Sequence, residues 1–208
     1  ARMRDAGCKY AIMEVSSHAI ALDRVGGVHF DVAAFTNLTE DHLDFHKTME
    51  HYCDTKAELF ARCDAAVANR DDEWFERITA KAACPLVTIS AKDNAGITAA
   101  DVELLSDGIR FNACVDGKKI PVAVPIPGRF TVYNVLTVLG IVKALGIDLN
   151  AAAEALSKVQ GVKGRIEVVP TPGMPFSVLI DYAHTPDGLE NVISSVQDFC
   201  QGRVITVF

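Results

Sequence analysis

Three short stretches concentrate side chains that can do chemistry: Glu14-Val15-Ser16-Ser17-His18, Thr36-Asn37-Leu38-Thr39-Glu40-Asp41-His42-Leu43-Asp44-Phe45-His46, and Asp181-Tyr182-Ala183-His184-Thr185-Pro186. Each follows a strand-like apolar run, and open α/β sheets collect ligands beyond the carboxyl ends of their strands. Carboxylate, imidazole, hydroxyl and amide groups at such ends suit a hard cation and phosphate oxygens. Mg²⁺ in particular takes one or two carboxylates together with substrate oxygens and water. Glu14 and His42 are the best candidate ligands. Any one of these residues can simply cap the helix that follows, but three clusters in one chain favour a site. Asp41, His42 and His46 also admit a metal-dependent hydrolase, a weak signal without a second cluster of comparable density. Asp44 and His46 read instead as solvated or capping residues at the start of the next helix.

Lys56 lies four residues after Tyr52 and just before Leu59 and Phe60, on the apolar stripe of a helix. Its stem can pack while the ammonium reaches water. Alternatively it points into the site, where desolvation disfavours the charge and a neutral amine can take up carbon dioxide as a carbamate, an anion with two oxygens. Asn134 sits on an apolar helix in line with Val138, Ile141 and Leu145. A buried amide needs a partner, and either a purine edge or a backbone carbonyl supplies one. Arg165 directly follows a glycine-rich hinge and Asp181 ends a strand; facing a cleft they can hold a phosphate and a ribose hydroxyl, or they can pair with each other. Neither G-x-x-x-x-G-K-[ST] nor G-x-G-x-x-G occurs. A nucleotide would find its phosphate cradle outside this sequence.

The elements that must position these groups alternate. Apolar runs at 10–15, 32–35, 65–68 and 86–89 are separated by helical patterns, one of them over 47–63. That order predicts a mostly parallel sheet covered by helices on both faces. From Asp101 the period shortens: runs at 102–105, 109–113 and 120–124 are punctuated by Asp107-Gly108 and Asp116-Gly117, a hairpin signal that predicts a small antiparallel sheet. Helices are expected over 131–145, stopped by Gly146, and over 151–159. Gly161-Val162-Lys163-Gly164 marks a boundary between a domain at 1–163 and the start of a second, Rossmann-like α/β domain at 164–208. The second should open with strands at 166–169 and 177–180, a helix at 186–200 and a buried strand at 204–208. That last strand stops abruptly, and the chain reads as cut from something longer.

The 208 residues are 50% hydrophobic and 23% charged, with 20 Lys+Arg against 27 Asp+Glu and a net charge of -7. The acidic balance, without a basic cluster, argues against nucleic acid as a partner. The longest apolar run, 135–142, is far short of the roughly 20 residues that span a bilayer, so no membrane insertion is expected. The start lacks the apolar core of a signal peptide, so a cytoplasmic location is expected. Six cysteines without a CxxC pair read as reduced and mostly buried.

Taken in order, Glu14-Val15-Ser16-Ser17-His18, Phe35 to Asp44, His51-Tyr52-x-x-x-Lys56, Gly164-Arg165-Ile166-Glu167 and Asp181 to Pro186 resemble the Mur ligases, and among them those that add the third residue of the peptidoglycan stem peptide. The resemblance implies an ATP-dependent ligase that activates UDP-N-acetylmuramoyl-L-Ala-D-Glu as an acyl phosphate for attack by an amino acid, meso-diaminopimelate or lysine. It implies a monomer of three domains, of which this chain holds most of the central ATPase domain, without its phosphate loop, and the beginning of the third. By itself the chain is then expected to be inactive. Carried over, Glu14, His42 and a carbamylated Lys56 hold Mg²⁺ and serve catalysis. Ser16 and Arg24 contact the UDP substrate, while Asn134, Arg165, Asp181, Tyr182 and His184 contact ATP. Leu22 departs from the family's usual Gln and cannot donate a hydrogen bond. A different Mur ligase, a folylpolyglutamate synthase and a non-catalytic nucleotide-binding module are the competing readings.

Overall fold

β-Branched and alanine-rich runs flanked by helices need partners on two sides, and the computed structural model, which describes residues 2–207, supplies them in one six-stranded sheet of order β1-β2-β3-β4-β5-β6. Strands β1 (Phe30–Phe35), β2 (Cys63–Asn69), β3 (Leu86–Ser90) and the start of β4 (Ile97–Leu105) run parallel. Then β4, β5 (Gly108–Val115) and β6 (Lys118–Val124) form an antiparallel meander. The meander is therefore not a separate sheet, because β4 pairs with β3 through Ile89↔Ile97 and Ser90↔Thr98. Between β5 and β6 the two turn residues Asp116 and Gly117 have φ of 50° and 75°, as a type I′ hairpin requires at both positions.

Eight helices accompany the sheet among the described residues: α1 (Arg2–Asp5), α2 (Ser17–Ala21), α3 (Leu43–His46), α4 (Met49–Ala57), α5 (Phe75–Thr79), α6 (Arg129–Ala144), α7 (Leu149–Leu156) and α8 (Pro186–Gln197). The helix expected over 47–63 is shorter, because a 3₁₀ segment, Glu58–Arg62, takes over at its end. Successive β2 residues enter different cores. Val67 joins Ile89, Ile97, Leu136 and Leu139 under α6, while Ala66 and Ala68 join Phe35, Tyr52, Phe60 and Ile78 under α4 and α5. That is the signature of strands buried on both faces. Gly140 lets α6 close on β2, since a Cβ there would stand 2.6 Å from Val67 Cγ1.

Two expected strands are absent. Residues 10–15 and 204–207 carry no ladder, with Ile12 fully exposed and Val207 92% exposed. Apolar periodicity is only half of a strand; a neighbouring backbone must complete the hydrogen bonds, and no described strand lies beside either run. Phe208, the end of the second run, lies outside the described residues. Strands β7 (Glu167–Val169) and β8 (Val178–Ile180) form a separate antiparallel pair, followed by α8. The cysteines are free, but only Cys53 and Cys63 are buried, and Cys8 is exposed. No described helix is long and apolar enough to cross a membrane.

Candidate active site

Chain reversal beyond β1 gathers the first two clusters. The loop after β1 is pinned to the end of β2 twice: Asn69 Nδ2 donates to the Thr36 carbonyl at 3.0 Å, and Leu38 N donates to the Asp72 carboxylate at 3.0 Å. The same carboxylate accepts from Trp74 N at 2.9 Å. His42 then opens α3 with φ at 56°, in the left-handed region that is sparse for non-glycine residues. Its backbone N–H donates to Asp41 Oδ1 at 2.7 Å, and its Nδ1 lies 3.4 Å from the same oxygen. His18 packs edge-on against His42 with ring centroids 4.8 Å apart, which brings the Glu14–His18 stretch against the His42 loop.

Lys56 faces this junction. It is half-buried on α4, with Nζ 5.2 Å from the centroid of the Tyr52 ring. Burial pulls its ammonium below the ordinary lysine range, and the carboxylates of Glu14, Asp72 and Asp41 pull partly back. Burial likewise pushes the Asp72 carboxyl up. Converting the Lys56 ammonium to a carbamate would replace a cation by an anion in the midst of Glu14, Asp72 and Asp41. Like charges in one site disfavour one another, so a carbamate there requires a cation, and hard oxygen donors are what Mg²⁺ takes. The side chains therefore fit the metal chemistry. Among the described residues, no group of three or more His, Cys, Asp and Glu side chains is placed to hold a metal ion.

His46 requires a correction. It is 1% exposed, neither solvated nor capping, and the cap of α4 is Thr48, whose hydroxyl accepts from His51 N at 3.2 Å. Burial, then the neighbouring imidazoles of His51, His18 and His42, pull its pKa below the usual histidine value. Ser16 does cap: its hydroxyl accepts from Ala19 N at 3.2 Å. Arg24 is exposed beyond α2, and Leu22, the residue that ends α2, is 52% exposed.

Asn134 also differs from expectation. It lies on the exposed side of α6 with Val138, whereas Val132, Val135, Leu136 and Leu139 form the buried side. Apolar residues nearly encircle this helix, so periodicity alone points to more than one face. Its neighbour Tyr133 anchors α6 to the strand ends, donating to Asp71 at 2.9 Å; the same carboxylate accepts from Ser90 Oγ at 2.6 Å and Ala91 N at 2.9 Å. Burial and this bond push the Tyr133 phenol up to about 12. Tyr133→Phe is expected to cost about 1.5–3 kcal/mol, the worth of a hydrogen bond to a charged group, read as a lower urea midpoint with unchanged slope.

Arg165 and Asp181 do not pair among the described residues. The Asp181 carboxylate is occupied by two backbone donors, Ile166 N and Ala183 N, each at 2.7 Å. Arg165 is exposed. Tyr182 and His184, both exposed, meet edge to face at 5.2 Å. Arg129 at the start of α6 reaches Asp198 beyond α8 at 3.0 Å. The structure thus draws Glu14, His42 and Lys56 to one junction and leaves Asn134, Arg165, Tyr182 and His184 as solvent-facing groups.

Residues 1–142 match the Mur ligase middle domain, and residues 164–208 match the Mur ligase glutamate ligase domain. The chain belongs to the Mur ligase family. It is 41% identical over 207 residues to the UDP-N-acetylmuramoyl-L-alanyl-D-glutamate--2,6-diaminopimelate ligase of Clostridium botulinum, and 44% identical over 207 residues to the enzyme of that name from Caldanaerobacter subterraneus. Both alignments cover 99% of this chain but only 43% and 42% of the relatives. A solved structure of a ligase of the same name superposes with a TM-score of 0.82 at 30% identity, over 94% of this chain and 41% of that one. Within this Mur ligase chain, Asp72 and Ser17 are the contributors that sequence reasoning passed over. Asp72 had a signal, since Asn69-Arg70-Asp71-Asp72 also follows a strand; Ser17, beside Ser16, had none that separates it from a second capping residue.

Proposed function

We propose that this chain carries the central catalytic unit of an ATP-dependent ligase that joins diaminopimelate to UDP-N-acetylmuramoyl-L-Ala-D-Glu, in the cytoplasm and as a monomer. The observation that carries the reading is Lys56, a desolvated amine held among Glu14, Asp72 and Asp41, in a chain whose relatives bear that ligase's name. The domain division at 163/164 is supported by the two family matches, which end at 142 and resume at 164.

The roles follow from donor chemistry. Lys56 Nζ, as the free amine, bonds to the carbon of carbon dioxide and releases its proton to water, leaving a two-oxygen anion. Glu14, His42 and that carbamate are the ligands for Mg²⁺. When bound, Mg²⁺ offsets the repulsion between the substrate carboxylate and the phosphate oxygens of ATP. Ser16, whose hydroxyl hydrogen is free to donate, and the exposed Arg24 bind the UDP substrate. Leu22 offers apolar contact in place of a donor. Asn134 on the open side of α6 meets the adenine, and Arg165, Asp181, Tyr182 and His184 meet the phosphate and ribose. Asp181 acts chiefly by holding the Ile166 and Ala183 backbone, because both of its oxygens already accept hydrogen bonds.

The test is the complete open reading frame that encodes this chain, given ATP, Mg²⁺, the UDP dipeptide substrate and diaminopimelate. ADP and UDP-tripeptide should appear in equal amounts. ADP release indifferent to diaminopimelate, with no new peptide bond, would overturn the reading.

A further inference from the structure

Two of the least accessible polar side chains near the junction have no role in the scheme above. His46 ends α3 and Ser17 opens α2; each is 1% exposed, and His46 Nε2 lies 2.8 Å from Ser17 Oγ. The His46 ring stacks on Tyr52 with centroids 4.8 Å apart and planes 15° from parallel. His46 Nδ1 is buried and has no partner among the described residues.

That orphan nitrogen selects the tautomer. A buried N–H with no acceptor is rarer than an unsatisfied lone pair, so the hydrogen sits on Nε2 and is donated to Ser17 Oγ. With the ring stacked on Tyr52, this bond ties together three side chains from two parts of the sequence.

Each end of this contact leads to half of the candidate site. Ser17 is three residues beyond Glu14 and adjoins Ser16. His46 lies one turn beyond His42, and its backbone N–H donates to the His42 carbonyl at 2.9 Å. Tyr52 is one turn before Lys56 and lies under its ammonium. A shift at the His46–Ser17 contact would therefore move the Glu14 stretch relative to both His42 and Lys56.

We propose that His46 is a positioning residue: as the Nε2–H tautomer it clasps Ser17 and sets the spacing between Glu14 on one segment and His42 and Lys56 on the other. It touches neither substrate nor metal. The inference rests on the ligase reading above.

Three variants of the complete protein separate this clasp from mere packing. His46→Phe keeps the ring on Tyr52 and most of the volume but deletes the donor. Ser17→Ala deletes the acceptor, and His46→Gln offers an amide N–H near the position of Nε2. His46→Phe and Ser17→Ala should each lower kcat by about a hundredfold, the effect of an ångström-scale misplacement, with the KM for diaminopimelate nearly unchanged. The double variant should be no worse than the poorer single, as for residues acting as one unit, and His46→Gln should recover most of the rate. Nitrogen NMR of labelled histidine should show His46 protonated at Nε2 and bare at Nδ1.

A kcat close to wild type in His46→Phe, with only the melting temperature lowered, overturns the proposal, and so does an Nδ1–H tautomer. If His46→Phe does not fold, Ser17→Ala, which loses only a hydroxyl, decides the rate question. Absence of ligation by the wild type would sink the ligase reading instead. In that case the tautomer and the non-additivity of the two substitutions in melting temperature still decide whether the clasp exists.

Discussion

Lys56→Ala lowers ligation by about 10²–10³-fold, the loss that follows removal of a preorganised charge at a reacting centre, and abolishes carbon dioxide uptake at this position. The alanine variant cannot form the carbamate. Intact-mass analysis in bicarbonate buffer reads the adduct directly, and coupled ADP release reads the rate. At fixed dissolved carbon dioxide, the adduct should increase with pH, because only the free amine reacts and its fraction rises about tenfold per pH unit below the pKa. Burial lowers that pKa, so Lys56 should fill at lower pH than exposed lysines do. The linkage has the same sign. With its folded pKa below the unfolded value of 10.5, Lys56 disfavours the fold while protonated in both states, and stability rises with pH from the folded pKa towards 10.5. A wild-type adduct that persists in Lys56→Ala, or ligation within a few-fold of wild type, would refute the role assigned to this lysine.

Leu136→Ala carries the largest expected effect on stability. Leu136 has no solvent exposure and lies on α6 in the core shared with Val67, Ile89 and Ile97. Removing its isobutyl group loses transfer energy and leaves a cavity that a sheet-backed helix collapses poorly around, so the cost should be about 2–5 kcal/mol. The comparison is Val138→Ala on the same helix. Val138 is 38% exposed, and its truncation should stay within about 0.5 kcal/mol of wild type. Chemical denaturation of both variants checks the face assignment. Equal losses would mean that α6 packs against the sheet on a different side.

The two predictions separate what was legible from what was not. Strands β1, β2 and β3 stand where uninterrupted apolar runs meet helical patterns, because a strand buried on both faces needs side chains that are apolar on both. The β5–β6 hairpin stands where Asp116-Gly117 permits two consecutive positive φ values. Lys56 on its apolar stripe was legible for a related reason: helical spacing alone puts it beside Tyr52. By contrast, the runs at 10–15 and 204–207 have strand chemistry but remain unpaired, since pairing depends on a neighbour and not on the run. On α6, apolar residues surround the axis, so the sequence could not say that Leu136 faces inward and Asn134 outward.

His46 shows the limit most sharply. Asp41-His42-x-Asp44-x-His46 reads locally as a solvated or metal-binding run, yet His46 is among the most buried polar side chains, held by a serine 29 residues earlier in the chain. From its residues alone, this chain determined the order of most strands and helices, the turn chemistry and the family it resembles, and it marked candidate groups for Mg²⁺ and nucleotide. These depend on local periodicity and on side-chain identity. Only the tertiary structure decided which groups meet, which face each helix buries and which strands find partners. Burial, desolvation and hydrogen bonding all act between segments far apart in sequence, and chain reversal beyond β1 is what brings Glu14, His42 and Lys56 together.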